Sequence, residues 1–150
     1  MREIKFRAWD KENKKMVYNG YFDEFKGPFG DYRYVLVSIN LDGSINAQIP
    51  DDGGKNGLHE HDSDDFKKDR IELMQCTGLK DTAGREIFEG DFLRATHPSV
   101  EFNHIGYVQY NEEVAAFELY RDVYISMPLL EYDKFEIIGN IYENPELLQS

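Results

Sequence analysis

The segment His59-Glu60-His61-Asp62 is the densest group of metal-ligating side chains in the sequence. Imidazole nitrogens and carboxylate oxygens together can bind zinc or manganese. The two histidines are two positions apart, so they share a face only on a β-strand, and the spacing differs from the His-Glu-x-x-His helical pattern. Residues 51–57, which are rich in glycine, would not hold ligands rigidly. We therefore expect a solvated acidic loop here, with a metal-dependent enzyme that uses these four residues as the alternative.

Cys76, the only cysteine, could in principle act as a nucleophile with His97 or His104 as its base. It lies in an apolar run, however, and a free cysteine in such a setting is commonly a small buried hydrophobe. The sequence contains neither a Gly-x-Ser-x-Gly elbow nor a glycine-rich loop ending in Gly-Lys-Ser/Thr. We therefore assign no catalytic, metal-binding or cofactor-binding residue, and a non-enzymatic role is favoured.

Ten tyrosines are too many for the centre of so small a core. They are Tyr18, Tyr21, Tyr32, Tyr34, Tyr107, Tyr110, Tyr120, Tyr124, Tyr132 and Tyr142. Tyrosine is enriched at protein interfaces because it combines a large apolar area with a polar tip. These side chains either cover the edges of the core or form an interaction surface, including one between copies of the chain.

The elements that must position these side chains are strands, since the dominant hydrophobic period is two. Predicted strands cover residues 3–9, 16–22, 33–41, 45–49, 71–76, 92–95, 105–110, 114–120 and 135–141. Asp42-Gly43 favours a hairpin turn, and Asp81 and Gly84 have the spacing of a type I turn. Ser63 or Asp64 could cap a short helix through Lys68, and Asn144 could cap a final helical turn that begins at Pro145.

The predicted fold is mainly β, short-stranded and two-lobed, with little helix. Residues 1–50 form an N-terminal β lobe, residues 51–70 a mobile acidic loop or short helix, and residues 71–150 a strongly curved β barrel. In the barrel, one core is expected to receive Phe92, Val108, Phe117, Leu119, Ile137 and Ile141. Their neighbours Glu118, Glu136 and Asn140 should then face outward.

The chain of 150 residues has a net charge of −12, and the charge is uneven. Residues 101–150 hold ten Asp/Glu but only two cations, Arg121 and Lys134. Such a surface repels phosphate, which disfavours direct nucleic-acid binding. The acidity is explained by solubility, or else by a basic protein partner or mimicry of DNA charge.

No run approaches the roughly 18 apolar residues of a transmembrane helix, and the N-terminus lacks the apolar region of a signal peptide. One cysteine excludes an internal disulfide framework. We therefore expect a cytoplasmic protein that does not bind membranes.

Four blocks of sequence resemble the pattern of the YopX family, which is encoded mainly by bacteriophages and prophages. They are IKFRAWD at residues 4–10, MQCTGLKD at 74–81, IFEGD at 87–91 and EIIGNIYENP at 136–145. Cys76 stands where the pattern has an aromatic or other apolar residue. The resemblance implies a β-rich fold whose C-terminal part is an SH3-like barrel, and it implies no established activity.

These observations favour a non-catalytic phage or prophage accessory protein that binds a host or phage protein, or forms a homo-oligomer. One alternative is the metal-dependent enzyme based on His59, Glu60, His61 and Asp62. The other is an acidic decoy of a DNA-binding host protein.

Overall fold

The computed structural model describes residues 4–11, 14–18, 21–27, 30–39, 45–50, 58–59, 71–99, 101–122 and 125–149. From residue 21 to residue 59, and at residues 71, 122, 125 and 149, only the backbone is described. Among all the residues that the structure describes, no helix has the length and the apolar content to cross a membrane.

Strands dominate the chain, as the period-two pattern predicts. They are β1 Phe6–Asp10, β2 Lys15–Tyr18, β3 Tyr21–Gly27, β4 Gly30–Ile39, β5 Ile45–Pro50, β6 Leu58–His59, β7 Ile71–Lys80, β8 Glu86–Phe88, β9 Asp91–Thr96, β10 Asn103–Asn111, β11 Ala116–Asp122, β12 Ile125–Pro128 and β13 Lys134–Asn140. The helical elements within the described residues are two short 3₁₀ helices, Leu129–Glu131 and Pro145–Gln149. The prediction of a mainly β fold with little helix is confirmed.

The chain divides into two compact units. One comprises Met1–Lys5 and Met74–Ser150, and the other comprises Phe6–Leu73. In the second of these, β1 and β2 form an antiparallel hairpin, and β3, β4, β5 and β6 form a sheet in that order. β4 and β5 pair through Ile39 and Ile45 around the predicted Asp42-Gly43 turn, which lies outside the described residues. Ser63, Asp64 and Lys68 also lie outside the described residues.

The unit that contains residues 74–150 is built on a five-stranded antiparallel sheet with the order β12-β11-β10-β9-β13. Antiparallel partners share a face, so Val108 and Leu119, which pair directly, point the same way. The core cluster lies on that face and consists of Ile87, Leu93, Ala95, Val108, Leu119, Leu129, Tyr132 and Phe135. The SH3-like detail of the predicted barrel remains a prediction.

One edge of this sheet, the strand β13, is covered by the turn that joins β7 to β8. Asp81 and Gly84 form the predicted turn, in which the Gly84 N–H donates to the Asp81 carbonyl at 2.9 Å. From this segment the Thr82 N–H donates to the carbonyl of Phe135, and the Arg85 Nη2 donates to the carbonyl of Ile137. These bonds occupy backbone acceptors on the edge strand β13.

Of the six residues predicted to point into the core, four do so. Val108 and Leu119 are buried in the core cluster, and Phe117 and Ile137 are half-buried against it. Phe92 is buried, but it pairs with Tyr107 on the opposite face, while its neighbour Leu93 enters the core cluster. Only the start of β9 is buried on both faces; further along, Leu93 and Ala95 of the core alternate with the exposed Arg94 and Thr96. This alternation favours Leu93 as the inward residue, so the prediction that Phe92 enters this core is wrong.

Ile141 lies beyond the end of β13 rather than on it, and it is half-buried. Its N–H donates to the carbonyl of Gly90 at 2.9 Å. A β-bulge between Ile137 and Gly139 shifts the pairing of β13 with β9, so the simple alternation that predicted an inward Ile141 ends before this residue.

The predicted outward set is correct only for Glu136, which is exposed and forms an ion pair with Arg94. Glu118 and Asn140 are only 5% and 7% exposed, so the prediction of solvent-facing side chains is wrong for both. Glu118 does point away from the core face, as alternation requires, but polar neighbours cover it on the other face. Alternation fixes the direction of a side chain and not its exposure.

Candidate functional site

The predicted metal ligands fall largely outside the described residues. His59 lies in β6, where its backbone pairs with Ile49, and Glu60, His61 and Asp62 are not described. Elsewhere, the described residues contain no group of three or more His, Cys, Asp or Glu side chains that could hold a metal ion. The metal-dependent enzyme therefore stays a prediction.

Cys76 is buried in β7, where it pairs with Phe88 of β8. Its N–H donates to the carbonyl of Lys5 at 2.9 Å, and the neighbouring Thr77 hydroxyl donates to the carbonyl of Ile87. A thiol at 6% exposure among strand neighbours is in the setting of a core residue, as the sequence predicts. His97 and His104 are brought together elsewhere, at the end of the β9–β10 hairpin.

The hairpin places these two histidines by its pairing. Ala95 pairs with His104, and Thr96 pairs with Asn103, so residues 97–102 form the connection. Within it, the Nδ1 of His97 accepts a hydrogen bond from the Ser99 N–H at 3.1 Å. The Thr96 hydroxyl donates to the Asn103 side-chain oxygen at the same distance, which closes the base of the connection. These local bonds hold the aromatic side chains of the hairpin end in place.

Four rings meet at this end of the sheet, and we call His97, Phe102, His104 and Tyr132 the hairpin aromatic cluster. The two imidazoles stack with centroids 6.4 Å apart, and each meets Tyr132 in an edge-to-face arrangement, at 5.9 and 5.5 Å. Phe102 lies 5.2 Å from His104. The Nδ1 of His104 and the Tyr132 hydroxyl are joined by a 2.9 Å hydrogen bond.

The cluster runs from the core to the solvent. Tyr132 is 8% exposed and contacts Phe135 of the core cluster, with ring centroids 6.2 Å apart. Burial raises the pKa of the Tyr132 hydroxyl, so this group stays protonated at neutral pH. Phe102, at the other end, is 62% exposed. The cluster therefore presents a large aromatic surface on a fixed base.

A second polar group lies on the opposite face of the sheet, around the carboxylate of Glu118. Its Oε2 accepts a hydrogen bond from the Asn111 side chain at 3.0 Å. This bond lowers the pKa of Glu118; burial opposes it, and hydrogen bonds from Ser126 and Tyr120 lower the pKa further. The carboxylate is thus ionised and held by three side chains from β10, β11 and β12.

Aromatic rings continue this face across the neighbouring strands. Tyr120 stacks on Tyr107 at 6.0 Å, and Tyr107 meets the edge of Phe92 at 6.1 Å. Burial raises the pKa of Tyr120, and its hydrogen bond to Glu118 and the charge of that carboxylate raise it further. Reasoning from sequence missed this group because Glu118 is one of ten acidic residues in the last third of the chain. Its partners become visible only when the strands are paired.

The block at residues 136–145 has a structural explanation. The Asn140 side-chain oxygen accepts the N–H groups of Tyr142 and Glu143, at 3.1 and 2.9 Å. Asn144 directly precedes the 3₁₀ helix Pro145–Gln149, the position predicted for it, and its carbonyl accepts the Leu147 N–H at 3.0 Å. Its side-chain oxygen accepts the Asn140 N–H at 3.2 Å. A Cβ atom at Gly139 would lie 2.5 Å from that oxygen, which explains a glycine at this close approach.

The block at residues 74–81 ends in a buried carboxylate that orders the following turn. Asp81 Oδ1 accepts the N–H groups of Ala83 and Arg85, and Oδ2 accepts from the Arg85 guanidinium. Burial raises the pKa of Asp81, but the hydrogen bonds and the charge of Arg85 outweigh it and hold the pKa below its ordinary value. This carboxylate stabilises the turn that covers the edge strand β13.

A family model described as YopX protein matches residues 34–149. The chain belongs to the YopX family.

Two solved structures share its fold along nearly the whole length. Protein EF1440 from Enterococcus faecalis is 27% identical, with a TM-score of 0.53 and coverage of 99% of both chains. Protein yopX from Bacillus subtilis is 22% identical, with a TM-score of 0.58 and coverage of 100% of this chain and 98% of that chain. No curated protein matches the chain.

Proposed function

We propose that this YopX-family chain is a non-catalytic, phage-type accessory protein that binds another protein, from the phage or its host, or a second copy of itself. The observation that carries this proposal is the hairpin aromatic cluster, which presents Phe102 at 62% exposure on rings that are fixed to the core. Aromatic residues are enriched in protein interfaces, and they dominate binding energy where they insert into a partner.

The fixed geometry of the cluster favours binding. His104 contacts Phe102 on one side and is hydrogen-bonded to Tyr132 on the other, so the rings are ordered before a partner arrives. Ordering side chains during association costs about 0.5–1.5 kcal/mol for each flexible residue. A preorganised aromatic surface avoids much of this cost.

Two of the buried carboxylates, Asp81 and Glu118, support a non-catalytic role. A general base works best when its pKa lies near the operating pH. Asp81 and Glu118 are both buried, but hydrogen bonds lower the pKa of each carboxylate, which makes both weaker bases. Their hydrogen bonds go to neighbouring turns and strands, as expected of groups that stabilise the fold.

The test compares Phe102→Ala with Val114→Ala, since Val114 is a second exposed apolar residue of similar accessibility, at 57%. Light scattering after size exclusion gives the oligomeric state, and a pull-down from lysate identifies retained proteins. We expect wild type and Val114→Ala to retain the same partner or to self-associate, and Phe102→Ala to lose that association. A strictly monomeric wild type with no retained partner would overturn the proposal, as would association that Phe102→Ala leaves intact.

A further inference from the structure

We infer that the hairpin aromatic cluster binds a basic peptide segment, with an arginine or lysine side chain placed over the Phe102 ring. The inference rests on the proposed function and adds the chemistry of the partner. An aromatic ring attracts a cation to its face because of the ring quadrupole, and guanidinium groups also stack on such faces. Phe102 is the largest exposed surface of the cluster, so it is the ring that a partner side chain can reach.

Three exposed carboxylates are adjacent in sequence to rings of this cluster. Glu101 precedes Phe102, and Glu131 and Asp133 flank Tyr132, and all three are exposed. None of the three forms an ion pair within the part of the chain that the structure describes. Their negative charges are therefore available to a cation that approaches the aromatic surface.

The cations of the neighbouring strands point the other way. Arg94 of β9 lies opposite Glu136 of β13 and forms an ion pair with it. Phe135, the residue between Lys134 and Glu136, points into the core. Lys134 pairs with Thr96 on the same face as Arg94. Since the aromatic cluster packs on Phe135, these two cations lie on the opposite face of the sheet and do not neutralise Glu101, Glu131 and Asp133.

An acidic peptide or a nucleic acid would meet unfavourable charge here. The last third of the chain has ten Asp/Glu against two Lys/Arg, so the long-range potential repels anions and attracts cations. Charge complementarity therefore selects a basic segment among the partners that an exposed aromatic surface could accept.

The probe is a fluorescein-labelled peptide of alternating glycine and arginine, with a glycine–glutamate peptide and a single-stranded oligonucleotide as comparisons. Fluorescence anisotropy gives the affinity at low and at physiological salt. We expect the arginine peptide to bind and the other two not to bind. Phe102→Ala should weaken binding about fivefold, which corresponds to roughly 1 kcal/mol for a cation over an exposed ring.

Further variants separate the ring from its apolar area and from general attraction to an acidic protein. Phe102→Tyr should retain binding, whereas Phe102→Leu should weaken it as alanine does, because leucine is apolar but has no π face. Val114→Ala should bind as wild type does. The combined change Glu101→Gln, Glu131→Gln, Asp133→Asn should weaken binding and reduce its dependence on salt. Thermal melts establish that each variant is folded.

The outcomes also distinguish this inference from the proposed function. If Phe102→Ala loses a protein partner but binds the arginine peptide as wild type does, the interface stands and its basic chemistry is wrong. Binding of the oligonucleotide or the glutamate peptide at Phe102 would overturn the inference in the same way. If the wild type neither self-associates nor retains a partner, the proposed function itself fails, whatever the peptide does.

Discussion

Glu118 shows how a buried charge can be stable in an acidic protein. An unpaired buried carboxylate would cost several kcal/mol, but Asn111, Ser126 and Tyr120 each contribute a hydrogen bond to this one. The bonds join three neighbouring strands, so the side chain stabilises the sheet on the face opposite the core. Removing it leaves three polar partners to be satisfied in other ways.

We therefore expect Glu118→Ala to lower the free energy of unfolding by roughly 1–3 kcal/mol. The matched control is Glu136→Ala, which removes an exposed carboxylate from an ion pair and should cost about 1 kcal/mol or less. Urea melts at neutral pH measure both. Equal, small losses would show that the hydrogen bonds around Glu118 do not stabilise the sheet.

Asp81 links stability to pH. Its folded pKa is below its ordinary value, so the unfolded chain binds a proton at a higher pH than the folded chain does. The stability that Asp81 contributes is fully present above the unfolded pKa of about 3.9, and it is lost as the pH falls through the folded pKa.

The expected consequence is a difference between wild type and Asp81→Asn that depends on pH. Asp81→Asn should be less stable at pH 7, and its deficit should shrink as the pH falls from 5 to 3. Urea midpoints across this range, with Asp133→Asn as an exposed control, provide the measurement. A deficit that stays constant down to pH 3 would contradict the lowered pKa.

At the scale of elements, the closeness of β10 and β11 depends on a residue without a side chain. A Cβ atom at Gly106 would lie 2.3 Å from the backbone carbonyl oxygen of Tyr120. A backbone oxygen within a paired strand cannot rotate away as a side chain can. Any substitution must therefore move one strand away from the other.

Gly106→Ala should accordingly destabilise the protein by about 1–3 kcal/mol, the usual cost of overpacking. Gln109→Ala, an exposed change on the same strand, should stay within about 0.5 kcal/mol of wild type. Thermal or urea melts of the two variants test the expectation. If Gly106→Ala is as stable as Gln109→Ala, the two strands are further apart than the structure shows.

The elements differ in how far the sequence alone predicts them. β10 and β11 alternate polar and apolar residues, so Val108 and Leu119 are correctly placed in the core. In β9, Leu93 and Ala95 alternate with the exposed Arg94 and Thr96, so the pattern itself favours Leu93 over Phe92 as the residue that enters the core, and the prediction of Phe92 overlooked it. The hairpin aromatic cluster could not be predicted because Tyr132 is 28 positions from His104, and only strand pairing brings them together.

At the scale of the whole molecule, the dominant quantity is the net charge of −12. Like charges repel more strongly in the compact folded state than in the expanded chain, so self-repulsion destabilises the fold. Ions in solution screen this repulsion over roughly 10 Å at 0.1 M ionic strength.

The melting temperature should therefore rise as sodium chloride is increased from 10 mM to 150 mM. For a domain of this size, each kcal/mol of stabilisation corresponds to about 2–4 °C. Potassium chloride at the same ionic strength should give the same rise, because screening does not depend on the identity of the cation. A melting temperature that falls with salt would show that attractive ion pairs outweigh the repulsion.

The turn after β7 also affects how copies of the protein can aggregate. Its bonds to the carbonyls of Phe135 and Ile137 occupy the outer side of β13, so a strand from another molecule cannot add there without displacing them. The opposite edge strand is β12, which has four residues and ends in Pro128, a residue with no N–H to donate. A sheet that is covered at one edge can add a strand from another molecule only at its other edge. Two copies joined through that edge would leave no free edge for a third. Edge pairing through this sheet would therefore stop at a closed pair, and an endless fibre could not form by that route.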